Sequence, residues 1–363
     1  MAPLPVADLT ALAAGHADRA DTDRVLSPEV VKALAAAGFG RHFTPARWGG
    51  ADGTLTELLD AVSEVAEGCA ATAWCASLTA GAARMGAYLP EQGQRDLWDD
   101  GPDVLVAGAL IPHGRVEPTP GGWRLTGRWD VTSGVDFADW ALVCATGEDD
   151  SPWFFAVPRT DFEVLDTWFP VGMRGTGSNT LVLDDVRVPA HRGFPRERML
   201  HGRPTGSTAR CHTAPLRVVS GVLFAAPAIG AVRGALADWT RDTAARTLPP
   251  DRARSTRIAL ARTAAAVDAA DLLLRRAAGV ADRGATPEEA VRNPRDCAFA
   301  VDLLVDAVER LFRAAGSRGQ RGVVSRAWRD VHSLAGHVAL QFDTAGAAYG
   351  DHALDRPAEG TTA

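Results

Sequence analysis

The spacing of hydrophobic residues changes twice along the chain and divides it into three parts. In the first part, Val30 and Leu34 follow Ser27–Pro28 at helical spacing, and a serine before a proline is typical of a helix start. In the second, apolar and polar positions alternate around turns such as Gly121–Gly122, which predicts a small antiparallel barrel or sandwich of short strands. In the third, helical spacing returns, most clearly over residues 298–315. We therefore predict an N-terminal helical domain, a central β domain, a C-terminal four-helix bundle and a disordered tail, at residues 1–105, 106–215, 216–353 and 354–363.

Composition limits the class of protein. The 363 residues are 46% hydrophobic and 23% charged, the balance of a soluble globular protein. A net charge of −7, from 38 basic and 45 acidic residues, argues against nucleic acid as a partner. Five widely spaced cysteines without a C-x-x-C predict neither disulfides nor zinc and favour a reducing cytoplasm. The first residues do not resemble a signal peptide, and no apolar run approaches the roughly 20 residues of a membrane span, so no membrane partner is expected.

A first candidate for chemistry is the segment 127–134, Gly-Arg-Trp-Asp-Val-Thr-Ser-Gly, between two predicted strands. The hydroxyls of Thr132 and Ser133 beside a glycine can hold a ligand heteroatom, with nearby tryptophans as an apolar wall. An ordinary turn with tryptophans in the core explains the same residues equally well. The glycine-rich string 172–178 precedes a strand rather than a helix, so it is not a dinucleotide-binding fingerprint, and its simplest interpretation is a tight turn.

A second candidate is the helical segment 326–337, which contains two histidines. His332 and His337 are five residues apart, roughly 140° around a helix, so they cannot easily share a metal ion and no metal site is predicted. Ser333 lies one turn before His337 and could orient it. The alternative is that such a histidine is only structural.

These two segments, in this order and in a helix–strand–helix layout, resemble the acyl-CoA dehydrogenase family, and more narrowly its branch of two-component flavin-dependent monooxygenases (group D hydroxylases). The matching pieces are residues 43–50, 107–109, 127–140, 168–178, 185–189 and 326–337. The resemblance implies an α+β fold with a central antiparallel β-barrel domain, assembled as a homotetramer. It also implies that a separate NAD(P)H:flavin reductase supplies reduced FMN or FAD. O2 would be the co-substrate and would react with the reduced flavin to give a C4a-hydroperoxide.

The resemblance also assigns roles to individual residues. Thr132 and Ser133 would lie beside flavin N5, His337 would be the catalytic base acting on the substrate, and arginines would bind the flavin phosphate. The cofactor-binding set is Trp129, Thr132, Ser133, Trp168, Arg246, Ser255 and Arg257. The substrate-side set is Trp74, Ala82 and Ser333, with small Ala82 where several relatives have a second histidine, which suggests room for a bulky substrate.

One absence separates the two branches of the family. A dehydrogenase needs a glutamate over the flavin, yet residues 201–287 contain none, and His337–Val338 occupies the other family location. Asp238 and Asp242 remain as substitutes. We therefore predict an oxygenase component that hydroxylates an aromatic, polycyclic or amine substrate, in a natural-product pathway. The alternatives are a flavin-dependent desaturase with an unusual base and a catalytically inactive scaffold.

Overall fold

The computed structural model describes residues 4–147 and 150–355. The helices in these ranges are α1 (Ala7–Asp23), α2 (Pro28–Ala36), α3 (Phe39–His42), α4 (Leu55–Gly68), α5 (Ala70–Gly86), α6 (Glu91–Trp98), α7 (Arg196–Leu200), α8 (Arg210–Thr213), α9 (Leu216–Ala244), α10 (Pro250–Arg283), α11 (Pro287–Ala315), α12 (Gly322–Ala335) and α13 (Phe342–Leu354). The strands are β1 (Val106–Thr119), β2 (Gly122–Thr132), β3 (Trp140–Thr146), β4 (Pro152–Pro158), β5 (Glu163–Leu165), β6 (Asn179–Pro189) and β7 (Gly193–Pro195).

The helix starts follow local side-chain chemistry. The Ser27 side chain caps α2, with Pro28 in the first turn, as the sequence predicts. Thr54 begins α4 with a capping box, in which its hydroxyl accepts from the Glu57 amide and the Glu57 carboxylate accepts from the Thr54 amide. These caps satisfy amides that have no partner within the helix, so the chain itself marks where these helices begin.

The central sheet is open and mixed, so the prediction of an antiparallel barrel was wrong. Its strand order is β5-β6-β2-β1-β3-β4-β7, and β1 pairs in parallel with β3 while the other neighbours are antiparallel. The chain leaves β2 through the crossover 133–139 and adds β3 on the opposite side of β1, which makes that pair parallel. The edge strands β5 and β7 have three residues each and pair on one side only within the described ranges, so the sheet does not close.

Each face of the sheet has its own core. One face packs around Trp129, Leu125 and Phe155. The other face packs on α5 and α6 through residues such as Met85 and Leu97. The sheet therefore lies against the N-terminal helices, and the end of β2 comes close to α5.

Helix α9 is the central element of the C-terminal helices and packs against α4, α5, α10, α11 and α12. It is long and apolar enough to cross a membrane, so the expectation that no such run exists was wrong. Because 83% of that apolar window is buried against the rest of the chain, its composition is explained by packing in a core.

The strands lie between Val106 and Pro195, and the long C-terminal helices begin at Leu216. The division into domains at 105/106 and 215/216 stays a prediction. Of the predicted tail, Leu354 ends α13 and Asp355 follows it, while residues 356–363 lie outside the described residues.

Candidate active site

Five segments that are distant in sequence meet beside the end of β2. Trp74 comes from α5, Ser133 follows β2, Ser178 precedes β6, Phe224 comes from α9 and His337 follows α12. The Trp74 indole joins the two sides of the site. Its Nε1 donates to Ser133 Oγ over 3.0 Å, while its ring lies 5.5 Å from Phe224 and 5.8 Å from His337, between ring centroids.

A row of hydroxyls continues from Ser133 into the protein. Ser133 Oγ lies 2.7 Å from Ser178 Oγ, which lies 2.7 Å from Thr176 Oγ1. Thr176 Oγ1 donates to the Met173 carbonyl over 2.8 Å. We call Trp74, Ser133, Ser178, Thr176 and the Met173 carbonyl the hydroxyl relay.

The loop that ends this relay is fixed to α12. Met173 has a left-handed backbone (φ 55°), which is uncommon outside glycine, and its amide donates to Asp330 Oδ1 over 2.6 Å. Asp330 is buried, and that burial raises the pKa of its carboxyl to about 6. A side chain at Gly172 would overlap the Arg329 carbonyl, so the loop and helix approach as closely as glycine permits.

His337 does not lie on the helix where the sequence analysis expected it. Helix α12 ends at Ala335, and His337 has an extended backbone and caps the short 3-10 helix Val338–Leu340. Its Nδ1 accepts from the Ala339 amide over 3.2 Å, and its ring stacks on Phe224 with centroids 3.7 Å apart. Burial lowers the pKa of His337 to about 4, so the imidazole is neutral at pH 7.

The orienting role expected for Ser333 is therefore wrong, because Ala339 and Phe224 fix the His337 ring instead. Helix α12 ends between the two residues, so the one-turn spacing that would bring them together does not exist. His332 faces elsewhere. Its Nδ1 lies 2.8 Å from the Trp328 carbonyl and its ring packs on Trp328, a structural role.

Comparison with known proteins decides the family. Models of the N-terminal and C-terminal domains of acyl-CoA dehydrogenases match residues 9–97 and 222–342. A pigment production hydroxylase from a Rhodococcus species is 32% identical, over 95% of this chain and 94% of that protein. The oxygenase component of an FADH2-dependent resorcinol hydroxylase from a Rhizobium species is 31% identical, over 96% and 92%. The chain belongs to the acyl-CoA dehydrogenase family.

Within that family it belongs to the branch of flavin-dependent hydroxylase oxygenase components. The crystal structure of 3-HSA hydroxylase from Rhodococcus sp. RHA1 superposes with a TM-score of 0.91 at 26% identity, covering 98% of this chain and 97% of that one. The resemblance read from the residues is thereby confirmed, and the protein is an oxidoreductase.

The residues beside Ser133 fit the flavin that this family implies. After its bonds to Trp74 and Ser178, Ser133 Oγ has capacity for one further hydrogen bond, which a ligand can take. Exposed apolar side chains lie close in sequence to residues of the site and suit a flat aromatic ring. These are Val131, Phe169, Val171 and Val338.

Trp129, expected at the cofactor, lies instead in the core of the sheet. Its indole is buried, donates to the Cys144 carbonyl over 2.7 Å and packs against Gly114 and Gly127. Its alternation along β2 places it on the face of the sheet that also carries Leu125 and Phe155. Thr132 is also buried, and its hydroxyl donates to the Trp129 carbonyl, so that hydroxyl faces away from a ligand.

Trp168 lies in the loop before β6 and supports the relay. Its Nε1 donates over 3.1 Å to the same Met173 carbonyl that receives Thr176. Its backbone amide is held by Asn179 Oδ1. The indole thus contacts the loop that shapes the site.

Ala82 was expected to leave room for substrate, but it is buried in the core between α5 and the sheet. A side chain at Gly108 on β1 would lie 3.4 Å from the Ala82 methyl, so this position faces a strand. Ala82 lies two turns beyond Trp74 on α5, and the helix carries it away from Ser133.

Arg246 and Arg257 lie together at the turn between α9 and α10, where they line a cavity of about 310 Å³. Ser255 is exposed outside that lining and donates to the Arg252 carbonyl. Along α9, the turn is separated from Phe224 by twenty residues, about 30 Å at roughly 1.5 Å per residue. The five-carbon ribityl chain of a flavin cannot span that distance, so one subunit cannot contact both ends of one flavin with these residues.

Sequence reasoning missed Ser178, Thr176 and Phe224. The first two belong to the glycine-rich string that was interpreted as a tight turn, and a signal was present in its two hydroxyls next to left-handed Gly177. Phe224 carries no such signal, because it is one of many apolar residues on α9 and only the packing brings it under His337.

In the described part of the chain, Asp52, Cys211 and His212 are the one group close enough to hold a metal ion. Both His212 nitrogens are engaged, one with Ser207 and one with the Phe43 carbonyl. Burial lowers the pKa of His212, and the Arg84 guanidinium, which donates to the Cys211 carbonyl, lowers it further. A buried guanidinium beside the group disfavours a cation there.

Proposed function

We propose that this protein hydroxylates a ring carbon of a phenolic substrate, with reduced flavin supplied by a separate reductase and O2 as co-substrate. The observation that carries the proposal is the pairing of an acceptor, Ser133, with a neutral histidine, His337, on the two sides of Trp74. When bound, the reduced flavin would supply two electrons and activate oxygen. The protein's own residues hold the ring, exclude water and orient the substrate.

Ser133 is the residue we assign to flavin N5. Its free acceptor lone pair suits the N5–H that reduced flavin carries, and Trp74 holds the hydroxyl in place from the other side. The apolar rings of Trp74 and Phe224 exclude water beside it. Water exclusion favours oxygen transfer over the loss of hydrogen peroxide.

His337 is the residue we assign to the substrate, as a hydrogen-bond donor. Because Nδ1 accepts from the Ala339 amide, the neutral ring carries its proton on Nε2. A donor at Nε2 stabilises the oxygen of a phenolate, which leaves the ring carbon nucleophilic. The same donor would occupy the lone pair of an amine, so this geometry favours hydroxylation at carbon over hydroxylation at nitrogen. The low pKa of His337 makes it a weaker base than the sequence analysis assumed.

Neither aspartate that the desaturase alternative depends on lies near the site. Asp238 is fourteen residues beyond Phe224 on α9, about 21 Å at roughly 1.5 Å per residue, and Asp242 is one turn farther. The Asp238 carboxylate pairs with Arg241 at that distant end. Neither carboxylate can abstract a proton from a substrate beside Ser133.

The assembly we propose is a homotetramer in which Arg246 and Arg257 of one subunit bind the flavin phosphate of another. Arg246 and Arg257 are separated from Phe224 by about 30 Å along α9, at about 1.5 Å per residue. This separation supports a flavin site that is shared between subunits. Helix α10 also presents Ile258 and Leu272 as exposed apolar side chains, which suits burial against another copy. Five buried free cysteines suit a reducing compartment, so we include a cytoplasmic location in the proposal. We also include a role in natural-product synthesis.

The function is tested by mixing the protein anaerobically with FADH2 or FMNH2, then adding oxygen and a panel of simple and polycyclic phenols and matched anilines. We expect a hydroxylated phenol, formed only when the flavin is supplied reduced. Reduction of bound oxidised flavin by a substrate, without a reductase, would favour the desaturase. Absence of flavin binding in either redox state would favour the scaffold.

A further inference from the structure

The hydroxyl relay has a single allowed direction. At its inner end the Met173 carbonyl can only accept, so Thr176 must donate its one hydroxyl hydrogen there. Ser178 must then donate to Thr176, and Ser133 must donate to Ser178, because each hydroxyl has one hydrogen. At the outer end the Trp74 indole can only donate, and it donates to Ser133.

The inner end of the relay is held by the nearest donor at the Met173 carbonyl. The Thr176 hydroxyl lies 2.8 Å from that oxygen, closer than the Trp168 indole at 3.1 Å and the Thr176 amide at 3.2 Å, and the Met173 amide is held by Asp330. Thr176 and Ser178 are 1% and 2% exposed, so bulk water does not offer them other partners. The direction set at Met173 is therefore imposed on Ser133, whose only remaining capacity is to accept.

From this direction we infer that Thr176 and Ser178 are positioning residues that make Ser133 an obligate acceptor and so select reduced over oxidised flavin. Reduced flavin presents N5–H, a donor that matches the acceptor Ser133. Oxidised flavin presents N5 as an acceptor, and Ser133 Oγ could not donate a hydrogen bond to it. The inference rests on the proposed function, since it needs the flavin N5 to lie at Ser133. Such a preference retains the flavin in the state that reacts with oxygen.

The test compares the dissociation constants of FADH2, measured anaerobically, and FAD for the full-length protein and its variants. Thr176→Val keeps the shape but removes the inner hydroxyl, and Ser178→Ala removes the acceptor of the Ser133 hydrogen. Either change frees the Ser133 hydrogen to turn toward N5. We expect the preference for reduced flavin to fall roughly two- to tenfold, the size of one hydrogen bond. A tenfold change equals about 30 mV in the midpoint potential of bound flavin, a second readout for the same variants.

Two controls separate direction from folding. Thr176→Ser restores the hydroxyl and should restore the preference. Thr44→Val alters another buried threonine, whose hydroxyl donates to the Gly40 carbonyl outside the relay, and should leave the preference unchanged. If the wild-type protein binds flavin and both Thr176→Val and Ser178→Ala keep the wild-type preference for reduced flavin, this inference alone is overturned. A wild-type protein that binds neither form overturns the proposed function and this inference with it.

Discussion

At the scale of single residues, the site depends on which atoms still have hydrogen-bonding capacity. Ser133 Oγ retains one lone pair and His337 retains Nε2–H, and both follow from bonds already made to Trp74, Ser178 and Ala339. Hydrogen bonds of this kind contribute about 0.5–1.5 kcal/mol each, or more when one partner is charged.

Ser133→Ala should increase the hydrogen peroxide released per flavin oxidised and shorten the interval in which substrate can be hydroxylated. One lost bond to N5–H predicts a change of roughly two- to tenfold. The measurement is the ratio of product to peroxide in single-turnover mixing with oxygen. An unchanged ratio would remove Ser133 from its assigned place.

His337→Phe should leave flavin binding nearly intact, because the aromatic ring can still pack on Phe224, while hydroxylation falls by about 10- to 100-fold, the value of a hydrogen bond to a charged oxygen. Since the pKa of His337 is about 4, its ionisation should produce no step near pH 6.5 in the wild-type rate. The pH profiles of wild type and variant should therefore have the same shape in that range. His332→Phe is the matched control and should be nearly silent. The assignment is wrong if His332→Phe is the more damaging change.

At the scale of elements, the loop between β5 and β6 is held in place by α12. The buried Asp330 carboxylate accepts from the Met173 amide, and its pKa of about 6 lies above the usual value of 3.8 because burial disfavours the charge. A raised acidic pKa means that the folded state binds more protons than the unfolded state between these values. This group's contribution to stability is therefore complete below about pH 4 and decreases as the pH rises to 6.

Asp330→Asn, which keeps the acceptor oxygen but cannot ionise, should lack this decrease. Between pH 4 and pH 7, its free energy of unfolding should increase relative to that of wild type by up to about 3 kcal/mol. The size follows from the raised pKa of Asp330, because each pKa unit corresponds to about 1.4 kcal/mol. Denaturant unfolding at several pH values measures the difference. Asp330→Ala should be destabilised at every pH, because it leaves the buried Met173 amide without its partner. A constant difference between Asp330→Asn and wild type would refute the assignment.

At the scale of the whole molecule, the length of α9 separates two groups of residues that the cofactor must bring together. Light scattering should give a particle of four times 38.2 kDa. Arg257→Ala should weaken flavin binding about 10- to 100-fold, as expected for a charge-assisted bond to phosphate, without altering the product-to-peroxide ratio of the flavin that binds. Arg241→Ala, an exposed arginine on the same hairpin but outside the cavity lining, should bind normally. A fully active monomer would contradict the shared site.

Features that depend on neighbouring residues were predictable from the sequence. The Ser27 cap, the helical parts, the strand region and the hydroxyl segment around Ser133 all follow from local periodicity and capping, which a short window contains. The order of these segments also identified the family and its branch, later confirmed by relatives across the whole chain.

Features that depend on distant contacts were decided only by the tertiary structure. The parallel β1–β3 pair, the burial of Trp129 and the position of His337 beyond the end of α12 arise from long-range packing, which periodicity does not encode. The relay likewise joins residues 74, 133 and 178, and its direction is imposed by a carbonyl that is visible only in three dimensions. The sequence determined which groups are present, and the folded structure determined which of their hydrogen bonds remain for a ligand, because that depends on every partner already engaged.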